Sequence, residues 1–265
     1  MKILDLSVTI ENDVPVDPPH MMPVIEYYSH KQPKSLETMR KYFPGLRTED
    51  LPDGEGWANE TIHQISPHTG THMDAPWHYH STMNEGEPSW GIDEVPLEWC
   101  IGNGVMVDFS DKPTGYVCTS EDFKAYFARV GYALKPGDIV LVHTNAAAVY
   151  GQKEYLGAGC GIGEEGTCWL FDQGVHTVGT DAWSWDAPLS LIAKRFAETG
   201  DASLIWEGHK AGRHHAYLQM EKLTNLDRLP PFGFQVIALP VKLRHASAGW
   251  CRAVAILDDD TPLRG

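Results

Sequence analysis

Five histidines, His63, His68, His72, His78 and His80, fall in one short stretch with Asp74 among them. Imidazole nitrogens and a carboxylate oxygen are the donor atoms that Zn²⁺, Mn²⁺ and Fe²⁺ accept. The stretch reads His68-Thr-Gly-Thr-His72-Met-Asp74-Ala-Pro-Trp-His78-Tyr-His80. His68 and His72 have helical i, i+4 spacing, but Gly70 and Pro76 make a helix poor there. An extended chain serves better, because His72 and Asp74 then share one face of a strand. Gly70 tolerates a positive φ and lets the chain fold back, so that His68 can join them. Two imidazoles and one carboxylate leave coordination positions open, which points to catalysis rather than to a structural plug. A cation in such a site lowers the pKa of water toward neutrality and makes hydroxide available for hydrolysis. His78, beyond Pro76, serves either as a further ligand or as a free imidazole that moves protons. A lone histidine is usually a hydrogen-bonded loop residue. Four of them and an aspartate bracketing a Gly and a Pro do not read that way.

The elements that must hold this stretch are legible around it. The chain has 265 residues, 42% hydrophobic and 22% charged, enough apolar material for a sizeable core. Ile3, Leu4, Leu6, Val8 and Ile10 alternate as a strand does. Residues 11–60 are rich in Pro, Glu and Asp; they read as a loop-rich arm with one helix, Lys34–Tyr42, stopped by Pro44-Gly45. Further on, Gly104–Asp108, Ile139–His143, Val175–Gly179, Phe234–Leu239 and Ala253–Leu257 read as strands. Thr119-Ser-Glu-Asp122 opens a helix that runs to about Arg129, the Thr and Asp forming a capping pair. Ala187–Thr199 is a second helix, with Pro188 in its first turn and Gly200 past its end. These elements predict an α/β or α+β fold, one domain over residues 1–265 built on a mixed sheet with flanking helices.

Two motifs mislead. Gly161-Ile-Gly-Glu-Glu-Gly166 fits a dinucleotide fingerprint, but no strand precedes it and Glu164 and Glu165 would oppose phosphates. It reads as a flexible loop, suited to a lid. His214-His215 is equally weak, since adjacent side chains point apart.

Composition excludes several partners. With 36 acidic against 21 basic residues the net charge is −15, which disfavours nucleic acid and anionic membrane surfaces. No apolar run spans a bilayer, and the N-terminus lacks a signal-peptide core, so a cytoplasmic protein is expected. Five cysteines without a C-x-x-C pair predict reduced thiols.

His68-Thr-Gly-Thr-His72-Met-Asp74-Ala-Pro-Trp-His78 resembles the H-x-G-T-H-x-D-x-P-x-H motif of the metal-dependent cyclase-like hydrolases. That group includes bacterial kynurenine formamidase, isatin hydrolase and a dienelactone hydrolase. Ile3-Leu-Asp-Leu-Ser7, Lys135–Val142, Val178-Gly-Thr-Asp181…Ser184-Trp-Asp186 and Met220–Leu226 look like further family blocks. The resemblance implies a swivelling β/β/α fold, with His68, His72 and Asp74 as metal ligands and His78 as proton donor and acceptor. It also implies a homodimer or higher homo-oligomer.

In the formamidase branch two zinc ions are held, and His209 and Glu221 stand at the separation that completes the second site. Glu207–Arg213 is longer and more basic than that branch's pattern, and Val14–Pro19 lacks its Trp. The 30–60 insertion and the tail Ala246–Val254 are more similar to the isatin-hydrolase branch. That branch implies one Mn²⁺, with Zn²⁺ as the alternative, and His209 facing substrate or oxyanion. Trp77, inside the motif, is then a candidate wall for a flat aromatic substrate. Lys210 and Arg213 are candidates to hold a product carboxylate, though solvated surface suits both. The expected reaction is hydrolysis of a cyclic amide, isatin first. N-formylkynurenine or a lactone at two metals is the alternative, and a metal-binding or interaction protein without turnover is the non-enzymatic one.

Overall fold

The computed structural model describes residues 1–264. In chain order the strands are β1 (Lys2–Asp5), β2 (Val24–Tyr28), β3 (Asn59–Gln64), β4 (His72–Asp74), β5 (Thr82–Met83), β6 (Glu87–Pro88), β7 (Ile101–Asp108) and β8 (Val117–Cys118). They continue with β9 (Ile139–His143), β10 (Gly161–Ile162), β11 (Thr177–Thr180), β12 (Leu218–Glu221), β13 (Phe232–Ile237), β14 (Ala248–Trp250) and β15 (Val254–Leu257). The α-helices are α1 (Pro33–Tyr42), α2 (Pro76–Tyr79), α3 (Ser120–Val130), α4 (Glu164–Asp172), α5 (Leu189–Thr199) and α6 (Glu207–Lys210).

Alternation along the strands builds the core. Nine of them form one curled mixed sheet in the order β1-β15-β13-β7-β9-β11-β12-β4-β14. β7, β9, β11 and β12 run parallel in its middle, with antiparallel pairs on both sides. Val105, Val107, Val140, Val142 and Val178 point to the face where Phe123 and Phe127 of α3 and Leu170 of α4 cover them. Met106, Leu141 and Met220 point to the other face, where the curled edges bring Leu4, Met73, Phe234 and Leu257. Each such side chain contributes about 1.5–3 kcal/mol on burial. The sheet is thus the rigid floor on which β4 is laid.

Local rules set most boundaries. Asp122 accepts from the Thr119 N–H (2.9 Å) at the start of α3, and Gly131 closes that helix with φ +67°. Gly200 closes α5 in the same way. Pro188 precedes α5 as its cap rather than sitting in the first turn.

Three expectations are corrected. The first strand stops at Asp5, because Leu6 divides its bonds: its N–H still donates to the Ala253 carbonyl, but its own carbonyl accepts from Thr224 N–H. The arm of residues 11–60 is not only loop and helix, for β2 pairs antiparallel with β3 in an exposed ribbon. The 161–166 segment is not a mobile lid. β10 pairs with β8, Gly163 caps α4, and a Cβ on Gly161 would fall 1.8 Å from Ala187 N. Close packing, not flexibility, is what those glycines provide.

Among the described residues no helix is long and apolar enough to cross a membrane, and the five cysteines are free thiols.

Candidate active site

Strand register gathers the polar residues. β4 lies between β12 and β14, with Asp74 opposite Gln219 and Ala248, and His72 opposite Glu221 and Trp250. The two-residue period aims His72, Asp74, Gln219 and Glu221 at one face, while Met73 and Met220 enter the core on the other. Before β4 the chain turns at Gly70, with φ +66°, and this brings His68 back over the strand. A Cβ on Gly70 would lie 2.6 Å from Ile10 Cγ1, so space and backbone both require glycine. Gly70→Ala should therefore cost about 2 kcal/mol. A melting point lowered by roughly 4–8 °C would register it, and metal affinity should weaken alongside. A variant with wild-type melting and metal titration would remove this account of the turn.

The protein's own hydrogen bonds orient the imidazoles. His72 Nδ1–H donates to the Gly70 carbonyl (2.8 Å), which leaves Nε2 facing the cluster. His68 is held through Nε2 by Ser247 Oγ (2.9 Å), which leaves Nδ1 facing the same point. Asp74 Oδ1 lies 2.9 Å from His68 Nδ1 and 3.3 Å from His72 Nε2. Even so, His72 Nε2 and Asp74 Oδ1 are buried without a hydrogen-bond partner. Converging lone pairs that do not bond one another are what a cation requires. The donor set fits a divalent ion.

Two triads of donors overlap at Asp74: His68 with His78, and His72 with Glu221. Burial opposes ionisation of Asp74, but His78, His68 and His72 outweigh it and hold the carboxyl well below its usual range. Glu221 is pushed up by burial and by Asp74. Its Oε1 accepts from Trp185 N–H (3.0 Å) and Gln219 Nε2 (2.8 Å), and its Oε2 stands 3.6 Å from His72 Nε2.

His78 follows on the short helix α2, its ring 4.3 Å from that of His68 and its Nε2 3.9 Å from Asp74 Oδ2. Burial, more than any neighbour, lowers its pKa to about 3. His209, on α6, lies across the cavity with Nδ1 bonded to Asp186, which also accepts from its backbone N–H (3.2 Å). Burial works against a charged His209, but Asp186 prevails and raises it. Its Nε2 approaches Gln219 Nε2 (3.0 Å), Glu221 Oε1 (3.7 Å) and Asp74 Oδ2 (4.0 Å).

These groups open into a cavity of about 550 Å³. His68, His72, His78, His209 and Glu221 line its polar side; Trp183, Leu189, Ile205 and Trp206 line the rest, and His20 and Met21 of the N-terminal arm reach its mouth. Trp77 is elsewhere. It stands half-exposed on a separate cleft with Ser89, Gly91, Glu94 and His245. Neighbouring residues on α2 point apart, so His78 facing inward turns Trp77 outward.

Trp206 takes the role of wall, stacked on His209 at 4.3 Å and 15°. Nothing in its sequence neighbourhood marked it, since its backbone is left-handed at φ +58° and belongs to no pattern. Lys210 bonds backbone carbonyls and Arg213 is exposed; neither lines the cavity, whereas Lys222 does. Gln219 was also missed, although its position two residues before Glu221 on a strand is the signal that finds it.

A donor cluster left open to a cavity this size is a candidate metal centre rather than a closed structural knot. Residues 4–187 match the Cyclase family, and the chain belongs to it. The kynurenine formamidase of Erythrobacter litoralis (strain HTCC2594) is 26% identical over 196 residues, covering 72% of this chain and 73% of that protein. An isatin hydrolase bound to the product analogue thioisatinate superposes with a TM-score of 0.74 at 19% identity, over 97% of this chain and 93% of that one. Isatin hydrolase A from Ralstonia solanacearum gives 0.74 at 23% identity, over 97% and 92%. These similar proteins carry the names of a formamidase and of isatin hydrolases.

Proposed function

We propose that the protein hydrolyses a cyclic amide, isatin to isatinate being the leading case. One divalent cation, Mn²⁺ or alternatively Zn²⁺, would be held by His68, His72 and Asp74. The observation that carries this reading is the pair of buried, unpartnered donor atoms, His72 Nε2 and Asp74 Oδ1, beside an aromatic-walled cavity that His72 lines. When bound, the cation supplies Lewis-acid polarisation of the amide carbonyl and a water acidic enough to attack near neutral pH.

The chain's own groups do the rest. Trp183 and Trp206 present flat faces suited to a fused aromatic ring. His78 is neutral at physiological pH, so Nε2 can take a proton from the attacking water. As the C–O bond forms and the ring C–N bond breaks, the same nitrogen returns that proton to the departing amine nitrogen. His209, fixed by Asp186, faces the developing oxyanion.

The two overlapping triads at Asp74 favour a second reading, in which Glu221 and His72 help hold another ion and the substrate is N-formylkynurenine or a lactone. We read the chain as one catalytic domain of a cytoplasmic homo-oligomer, since Tyr42, Phe43 and Trp57 leave an exposed aromatic surface on the N-terminal arm.

Metal removal tests the reading. Chelator should abolish the loss of isatin's visible absorbance, and Mn²⁺ or Zn²⁺ should restore it at about one ion per chain. Restoration only at two ions per chain, with N-formylkynurenine turned over and isatin untouched, would select the second reading. Equal turnover with and without metal would remove both.

A further inference from the structure

The Gly161-Ile-Gly-Glu-Glu-Gly166 turn lines no part of the cavity, yet it sits at a crowded junction with the segment that carries His209. A methyl on Gly163 would lie 2.7 Å from Glu207 Oε2 and 2.8 Å from Val117 Cγ1. Glu207 opens α6, and its half-buried carboxylate lies beside Gly163, the residue that caps the N-terminus of α4. Burial and Asp186 oppose its charge, while the Glu164 backbone N–H and Arg195 favour it. An internal carboxylate thus occupies the place where a nucleotide-binding loop would receive phosphate.

The next residue is confined as tightly. A Cβ on Gly208 would fall 2.4 Å from the Ile162 carbonyl oxygen and 2.9 Å from Trp185 Cδ1. Its N–H donates to Asp186 Oδ1 (2.7 Å). Trp206, just before, is left-handed. Helix α6 has only four residues, too few to hold a fixed orientation through its own hydrogen bonds. Its direction must come from what it is wedged against.

We infer that Glu207 is a positioning residue for His209: its carboxylate, seated on the amide end of α4 in the space that Gly163 leaves open, fixes α6. With α6 fixed, His209 Nδ1 meets Asp186, Nε2 faces the cavity, and Trp206 stays stacked on the ring. Glu207 touches neither substrate nor ion. The part of the test that reads turnover rests on the hydrolytic reading above; the part that reads the imidazole does not.

The test compares Glu207→Ala, Gly163→Ala, the double variant and Glu207→Gln with the wild type. It measures kcat and KM on the metal-loaded enzyme, and the ¹⁵N and N–H resonances of His209 in the metal-free protein, assigned with His209→Gln. Each alanine variant should lower kcat about tenfold with KM changed less, because a displaced group costs rate before binding. Each should also shift the His209 Nδ1–H resonance away from its position against Asp186. The double variant should be no worse than the worse single, since both remove one seat. Glu207→Gln, which keeps an acceptor for the Glu164 N–H, should recover most of both signals.

Unchanged His209 resonances in the single variants, or losses that multiply in the double, would overturn the inference. If Glu207→Ala does not fold, Gly163→Ala read by the same resonance decides. A wild type that hydrolyses no cyclic amide, but whose His209 resonance still follows Glu207 and Gly163, would defeat the hydrolytic reading and leave this inference standing.

Discussion

His78→Ala should lower kcat by a factor of about 10²–10⁴ while the bound-metal content stays at its wild-type level. The expectation comes from how differently His78 is held compared with its neighbours. His68 and His72 each have one ring nitrogen fixed by a partner, Ser247 and Gly70, and the other aimed at Asp74. His78 sits at 3.9 Å from Asp74 Oδ2, braced by ring contacts with His68 at 4.3 Å, Trp206 at 5.0 Å and His209 at 5.5 Å. A ring braced by packing can swing a proton between water and leaving group; a ligand locked by its second nitrogen cannot. Loss of metal together with activity would make His78 a ligand and end the proton-transfer role.

The pH dependence has a definite sign. Burial holds folded His78 at about 3, far below the ordinary imidazole value of 6.5. The acid limb that His78 contributes to kcat/KM should therefore lie well below 6.5. Between 6.5 and about 3 the unfolded chain gains a proton there that the folded chain refuses, so this group makes stability fall as pH drops through that window. His78→Gln should remove that contribution in acid melts. A wild-type acid limb centred near 6.5 that vanishes in His78→Gln would contradict the buried, neutral imidazole.

What could be read in the sequence and what could not divide along a physical line. His72 and Asp74 were legible because a strand's two-residue period is local, and Gly70 was legible because a positive φ has a residue signature. The strands Ile139–His143 and the helix after Thr119 follow from the same kind of short-range rule. Trp77 was misplaced because its direction depends on a one-turn helix whose rotation is set by His78 and Tyr79 packing inward. The 161–166 turn was misread because glycine marks both flexible loops and close approaches, and only the partner, Glu207 or Ala187, distinguishes them. Trp206, Gln219 and Lys222 lie far along the chain from the histidine motif. Sheet topology alone brings them to it.

Lys222 carries the second large effect. Its ammonium, 1% exposed, bonds the Asp17 carboxylate of the N-terminal arm, 205 residues away in sequence, and the His68 carbonyl at 2.8 Å. Trp183 completes the nest: its Nε1–H donates to Asp17 Oδ1 at 2.9 Å, and its ring lies 5.6 Å from the ammonium. Removing one member of a buried pair strands the other charge out of water, which costs about 3–5 kcal/mol. Lys222→Met and Asp17→Asn should each cost that much, seen as melting points lowered by roughly 6–20 °C. The double variant should be more stable than the sum of the two losses predicts, because no uncompensated charge remains.

Stability and function should then separate. The double variant regains its fold but not the hydrogen bond from Lys222 to the His68 carbonyl, and Trp183 loses its charged acceptor. Metal affinity and KM should therefore stay impaired after the melting point has recovered. Strictly additive losses in the double variant, or single variants within about 1 kcal/mol of wild type, would show an ordinary screened surface pair. Recovery of metal affinity together with stability would show that the pair only fastens the arm. The expected separation follows from the two bonds of one ammonium: the first closes the arm over the cavity, and the second sets the loop from which His68 reaches the ion.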